Sequence, residues 1–177
     1  DSKESVSISC AIDLRRHIKD NSDQGMTNHT AWMQCKIPEL GKDIFSTLDY
    51  CVQLSNQFKK DHFMGLHGLP LLSLGYKILP HAASDKIIKI GYSNPRLAMS
   101  NIGILEADKL ALEGHEPTEG FMSGAVKYKP YVLLSVTSLR KELTLSMCVR
   151  GNDEDKKIVE HFFELMDKNI RTLIKDE

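Results

Sequence analysis

The stretch YVLLSVTSLRKELTLSMCV, residues 131–149, decides the fold. Two runs rich in β-branched and aliphatic residues flank the charged pair Arg140-Lys141, and that arrangement predicts a β-hairpin with a short turn. In the second run Leu143, Leu145, Met147 and Val149 share one face, while Thr144, Ser146 and Cys148 share the other. A period of two marks a strand with one face turned to a core. A helix follows. Asn152 is placed to cap it, and Asp153, Glu154 and Asp155 suit the positive end of its dipole. Ile158, Phe162, Phe163, Met166, Ile170 and Leu173 form its apolar stripe, and Arg171 lies toward its negative end.

Upstream of the hairpin, FMSGAVKY (121–128) predicts a further strand, reached through a loop holding Gly114, Pro117 and Gly120. RLAMSNIGIL (96–105) predicts another, short and buried. Residues 62–92 are rich in Leu and broken by Gly65, Gly68, Pro70, Gly75 and Pro80, which predicts one or two short helices. From Lys42 to Lys60, Ile44, Phe45, Leu48, Cys51, Val52 and Phe58 fall on one helical face. TAWMQCKI (30–37) reads as a strand stopped by Pro38. The polar loop KDNSDQGMTNH (19–29) joins it to a first strand over 5–14, where Val6, Ile8, Cys10 and Ile12 alternate with serines and Ala11. This order predicts an α/β two-layer sandwich: a mixed, mostly antiparallel sheet with helices on one face. The 177 residues suit one domain with a sizeable core. The strand pattern begins almost at Asp1, which predicts a piece cut from a longer chain.

Composition excludes several classes. Lys and Arg number 23 against 24 Asp and Glu, too balanced for a general nucleic-acid binder. The apolar runs are too short to span a bilayer, and the polar, acidic start is no signal peptide. Cys10, Cys35, Cys51 and Cys148 show no zinc spacing and sit in apolar contexts, which predicts free thiols and a cytoplasmic protein. The sequon Asn28-His29-Thr30 would carry no sugar there. Phosphate loops, nucleophile elbows and close metal-binding His pairs are absent from the sequence. HAASD (81–85) has the form HxxxD, a pattern of general-base His beside an orienting Asp, but two fixed positions in five recur by chance. The competing reading is structural: Pro80-His81 ends one helix, and Ser84 or Asp85 caps the next.

AIDLRRHI, NHTAWMQCKI, MSNIGIL and FMSGAVKYKPYVLLSVTSLRKELTLSMCV, closed by an amphipathic helix, come in a specific order. That order resembles the C-terminal half of the His-dependent acyltransferase superfamily, over nearly the whole chain. The superfamily includes chloramphenicol acetyltransferase, the condensation domains of nonribosomal peptide synthetases, and alcohol acetyltransferases, the last branch being most similar. The resemblance implies two α/β halves with a tunnel between them and the catalytic HHxxxD motif in the first half. This chain lacks HHxxxD ahead of AIDLRRHI, and its HxxxD at His81 is in the wrong place.

The resemblance also implies roles for particular residues. The SNIG-like strand would line the tunnel, with Ser100 or Asn101 donating to the oxyanion of a tetrahedral intermediate, a contribution of about 3 kcal/mol in a preorganised dry site. Alternation lets only one of the two face the tunnel. Gly103 would leave space for substrate or the neighbouring half. The plain alternative is that Ser100 and Asn101 pair with backbone at a bulge that Gly103 makes. Arg15 of DLRR would pair with the HHxxxD Asp across the halves; the alternative is a solvent-facing Arg at a strand end. A coenzyme A or carrier-protein thioester would be the acyl donor and a small hydroxyl or amine compound the acceptor. The partner would be the missing N-terminal half, or a second copy through the exposed half-interface. A different class, a stand-alone binding module with no catalysis, fits the same sequence.

Overall fold

The computed structural model describes residues 5–18, 29–38, 43–91 and 95–175. The polar loop expected before residue 29, including Asn28 of the sequon, lies outside the described residues. Strands β1 (Val6–Asp13), β2 (Thr30–Ile37), β3 (Leu97–Leu105), β5 (Val132–Leu139) and β6 (Glu142–Met147) form a five-stranded sheet in the order β2-β1-β3-β5-β6. Both outer pairings are antiparallel, and both inner ones, β1 with β3 and β3 with β5, are parallel. The short strands β4 (Lys127–Tyr128) and β7 (Val149–Arg150) pair with each other in parallel. Four helices complete the fold: α1 (Ile44–Lys60), α2 (Leu69–Ile78), α3 (His81–Gly91) and α4 (Asp153–Lys175). The α/β class and the mixed sheet follow the sequence reading.

Local chemistry fixes the helix starts. Asp43 caps α1, its carboxylate accepting the Ser46 N–H at 2.8 Å. Pro70 stands in the first turn of α2, where its missing N–H costs nothing. Asn152 caps α4 as expected: its Oδ1 accepts the N–H groups of Glu154 and Asp155 at 3.1 and 3.0 Å. Asp155 returns the bond, accepting the Asn152 N–H at 2.9 Å, in a reciprocal capping box. Helix α3 begins at His81, so neither Ser84 nor Asp85 caps it; Ala83 and Ser84 already donate to the Pro80 carbonyl within its first turn.

Register divides the sheet into two unlike faces, because paired residues on neighbouring strands share a side. One face carries Val6, Ile8, Cys10 and Ile12 of β1 beside Ile37, Cys35, Met33 and Ala31 of β2. It continues through Met99, Leu134 and Met147. Helix α1 lies on this side, with Cys51 against Cys35 and Cys10. The turn after α1 is pressed onto it as well: a Cβ on Gly65 would sit 2.8 Å from Ile12 and Leu14 side-chain carbons. The opposite face is largely small and polar, with Ser7, Ser9, Ala98, Ser100, Ser135, Thr137, Thr144 and Ser146, and it also carries Trp32, Leu133 and the buried Leu139.

Three expectations change. FMSGAV is no strand: only Lys127–Tyr128 of that segment pairs as β4, and residues 121–126 run as an extended strap over the serine face. The strap binds side chains rather than a neighbouring backbone. Met122 donates its N–H to Thr137 Oγ1 at 3.0 Å and accepts from the Ser146 hydroxyl. Ile158 and Phe162 of the α4 stripe are exposed, and the inward row runs through Val159, Phe163, Met166, Ile170 and Leu173. The core is also thin. Among the described residues the buried apolar side chains are Ile37, Met64, Ala98 and Leu139, while Phe45, Leu48 and Val52 of α1 stay exposed.

Candidate functional site

The serine face is where the sequence-predicted residues collect, and β3 separates them. Ser100 pairs with Ser135 of β5 and shares the serine face with it. Asn101 pairs with Val136 and points to the helix-bearing face. The alternation argument is therefore resolved toward Ser100 for the serine face. Asn101 is occupied locally: its Oδ1 accepts the Gly103 N–H at 2.8 Å, in an Asx-type turn.

Gly103 adopts φ +79°, and the β3–β5 register slips between Asn101 and Ile104. A Cβ there would meet nothing within 4 Å. Gly103 is thus placed by its backbone conformation at a bulge, and the space beside it is open. The bulge turns the strand end and re-aims Ile104, which is 75% exposed.

Sequence reasoning passed over Ser135 and Thr137, each 1% exposed. Thr137 is held by the strap. The Ser135 hydroxyl is buried with no hydrogen-bond partner, and a Cβ on Gly124 of the strap would come within 3.3 Å of it. A buried hydroxyl without a partner is costly and rare, and the strap covers this one beside Ser100. The sequence signal was the period-two set Leu133, Ser135, Thr137 and Leu139 on a single strand.

Farther along the same face a cleft of about 400 Å³ opens between β1 and β3, lined by Ser7, Ser9, Gln34 and Arg96 among others. Among the described residues its one cation is Arg96. Hydroxyls, an amide and a guanidinium suit a polar or anionic group rather than an apolar one.

Arg15 lies in the short 3-10 turn Leu14–His17 that follows β1. Its guanidinium pairs with Asp13 at 2.7 Å, and Asp13 also accepts the Arg15 backbone N–H at 2.9 Å. The hydrogen bonds from Arg15 hold the Asp13 carboxyl below its ordinary range. Both side chains are more than half exposed, so the pair is a solvent-facing strand-end motif in this chain.

Cys10, Cys35 and Cys51 meet under α1. Burial, then the neighbouring Cys51, pushes the Cys35 thiol up to about 11, and burial raises Cys10 too. Such thiols are protonated at neutral pH and are poor nucleophiles. Among the described residues no group of three or more His, Cys, Asp or Glu could hold a metal ion. Among them no helix is long and apolar enough to cross a membrane. His81 of HAASD is exposed in the first turn of α3. No protein-family model, curated protein or solved structure matches the chain.

Proposed function

We propose that this chain is one half of a two-half acyltransferase fold, supplying oxyanion donors and part of the substrate wall to a His-bearing half. The observation that carries the reading is surface. The chain exposes 14283 Å², whereas a folded monomer of 20.0 kDa exposes about 8,700 Å². The excess on this one chain, about 5,600 Å², is larger than the per-partner share of a large obligate interface, about 1,000–2,500 Å². Its apolar part includes Ile102 and Ile104, on the strand that carries Ser100. A half-fold that completes itself against a partner near that strand accounts for the Ile102 and Ile104 part of it.

The chemistry is acyl transfer from a coenzyme A or carrier-protein thioester to a small hydroxyl or amine. A His of the partner half takes the acceptor's proton. The Ser100 hydroxyl, with Ser135 beside it, donates to the carbonyl oxygen as negative charge grows there. Arg96 in the 400 Å³ cleft offers a contact for the donor's polar arm. Asn101 drops to a structural role, because its oxygen already holds Gly103.

The test has two stages. The gene is first read upstream of the codon for Asp1, where an in-frame segment with HHxxxD is expected; a stop codon there removes the acyltransferase reading. In the joined protein, Ser100→Ala should lower kcat by about a hundredfold with thioester binding intact, the loss typical of one oxyanion donor. Unchanged turnover would remove Ser100 from the mechanism.

A further inference from the structure

A second cleft, of about 280 Å³, lies at the other end of the sheet, between strand β2 and the turn after α1. Its walls include Trp32, Met33, Phe58 and Met64, and among the described residues His67 and Asp61 bring an imidazole and a carboxylate to it. The two form a dyad: His67 Nε2 lies 2.7 Å from Asp61 Oδ2. The other Asp61 oxygen accepts the Phe63 N–H at 2.9 Å. An ionised carboxylate only accepts, so Nε2 carries the proton and the lone pair of the neutral ring sits on Nδ1. The Phe63 ring lies beside the imidazole, centroids 6.5 Å apart.

The turn that carries the dyad is fixed in place. Met64 is 7% exposed. His17 Nε2 lies 3.0 Å from the Met64 carbonyl oxygen. Gly65 takes φ +83°, and a Cβ there would come within 2.8 Å of Ile12 and Leu14 and 3.1 Å of Ala31. Successive backbone bonds, Met64 to Asp61, Leu66 to Phe63 and Leu69 to Leu66, stiffen the segment further. The imidazole is therefore oriented by its own carboxylate on a rigid turn, beside an aromatic and thioether wall. That is the composition of a small-molecule site: apolar walls with a few convergent polar groups.

We infer that this cleft, at the open edge of β2, binds a small neutral aromatic bearing a hydroxyl, whose ring lies against Met33 and Phe58 with Trp32 at the rim and whose O–H donates to His67 Nδ1. Among the described lining residues there is no Lys or Arg, which argues against an anion. The site shares Gln34 of the edge strand with the cleft on the serine face, and it stands whether or not the chain belongs to an acyltransferase.

Trp32 is the chain's single tryptophan, which supplies the readout. The full chain, labelled with ¹⁵N, is titrated with phenol in mildly alkaline buffer while the one indole N–H resonance is followed. Saturable shifts of that resonance and of the His67 ring are expected. Toluene, which keeps the ring and lacks the hydroxyl, should bind roughly two- to tenfold more weakly, the worth of one hydrogen bond. His67→Gln should bring phenol to the toluene level and leave toluene unchanged. The exposed position of His67 lets that variant fold, and its indole resonance reports whether it has. No saturable shift, equal binding of phenol and toluene, phenol binding unmoved by His67→Gln, or tighter binding of benzylammonium than of phenol would each overturn the assignment.

Discussion

Two glycines with nearly the same backbone angle do different jobs, and the difference is measurable. Gly65 has φ +83° and Gly103 φ +79°, a region that costs any residue with a Cβ about 1 kcal/mol. A Cβ at Gly103 meets open space. A Cβ at Gly65 sits 2.8 Å from Ile12 Cδ1 and Leu14 Cδ2, so overpacking adds to strain. Gly103→Ala should therefore destabilise by about 1 kcal/mol and Gly65→Ala by about 3 kcal/mol, read from urea midpoints at constant slope. Equal losses would mean that the turn after α1 can lift off the sheet, and the rigid cleft beside it would lose its support. The same scale shows why a sequence names Ser100 and Asn101 together. Alternation separates them without saying which side is which, and only the β3–β5 register puts Ser100 with Ser135.

At the level of elements, short-range signals carried far and long-range ones did not. The hairpin, the Asn152 cap and the α1 pattern are written in neighbouring residues, and the observed bounds lie within a few residues of those expected. The strap over 121–126 reads as a strand because Phe121, Met122, Ala125 and Val126 are apolar; its bonds to Thr137 and Ser146 depend on residues far along the chain. The β2-β1-β3-β5-β6 order is equally non-local, and so is the cleft that brings Trp32 to His67. Asp61 and His67 are six apart, a spacing with no helical or strand meaning, and only the turn at Gly65 closes it. Helix α1 gives the test at this scale. The Ser46 backbone N–H, then its hydroxyl, holds the Asp43 carboxyl below the ordinary carboxylate range. A carboxyl lowered by folding contributes stability above its unfolded value, and that contribution is lost as pH falls through the folded one. Asp43→Asn keeps a capping oxygen and removes the titration. Wild type should exceed the Asn variant in Tm at neutral pH, and the gap should narrow as pH falls through the lowered folded value of Asp43. Asp43→Ala should lie below both at neutral pH, since it leaves the Ser46 N–H unpaired. A gap that does not change with pH would mean that the cap acts through shape alone.

For the molecule as a whole, the governing quantity is how little surface folding removes. An unfolded chain of 20.0 kDa exposes about 29,000 Å², so folding to 14283 Å² buries about half. A self-sufficient domain of this length buries about seven-tenths. The deficit is visible side chain by side chain: Leu71 of α2 is 76% exposed, Ile78 69%, Phe121 of the strap 70% and Ile158 of α4 68%. These residues lie on separate elements, so the missing contacts are distributed rather than confined to one loop. Because the urea slope scales with the area exposed on unfolding, this chain alone should show about seven-tenths of the m-value expected for its length. It should also bind a hydrophobic dye in its native state, and self-associate as concentration rises. Adding the His-bearing half should abolish dye binding, give a one-to-one complex, and raise the slope per residue to the ordinary value. A full m-value with no dye binding from the isolated chain would mean that it closes on itself in solution, and the surface argument for a second half would fall with it.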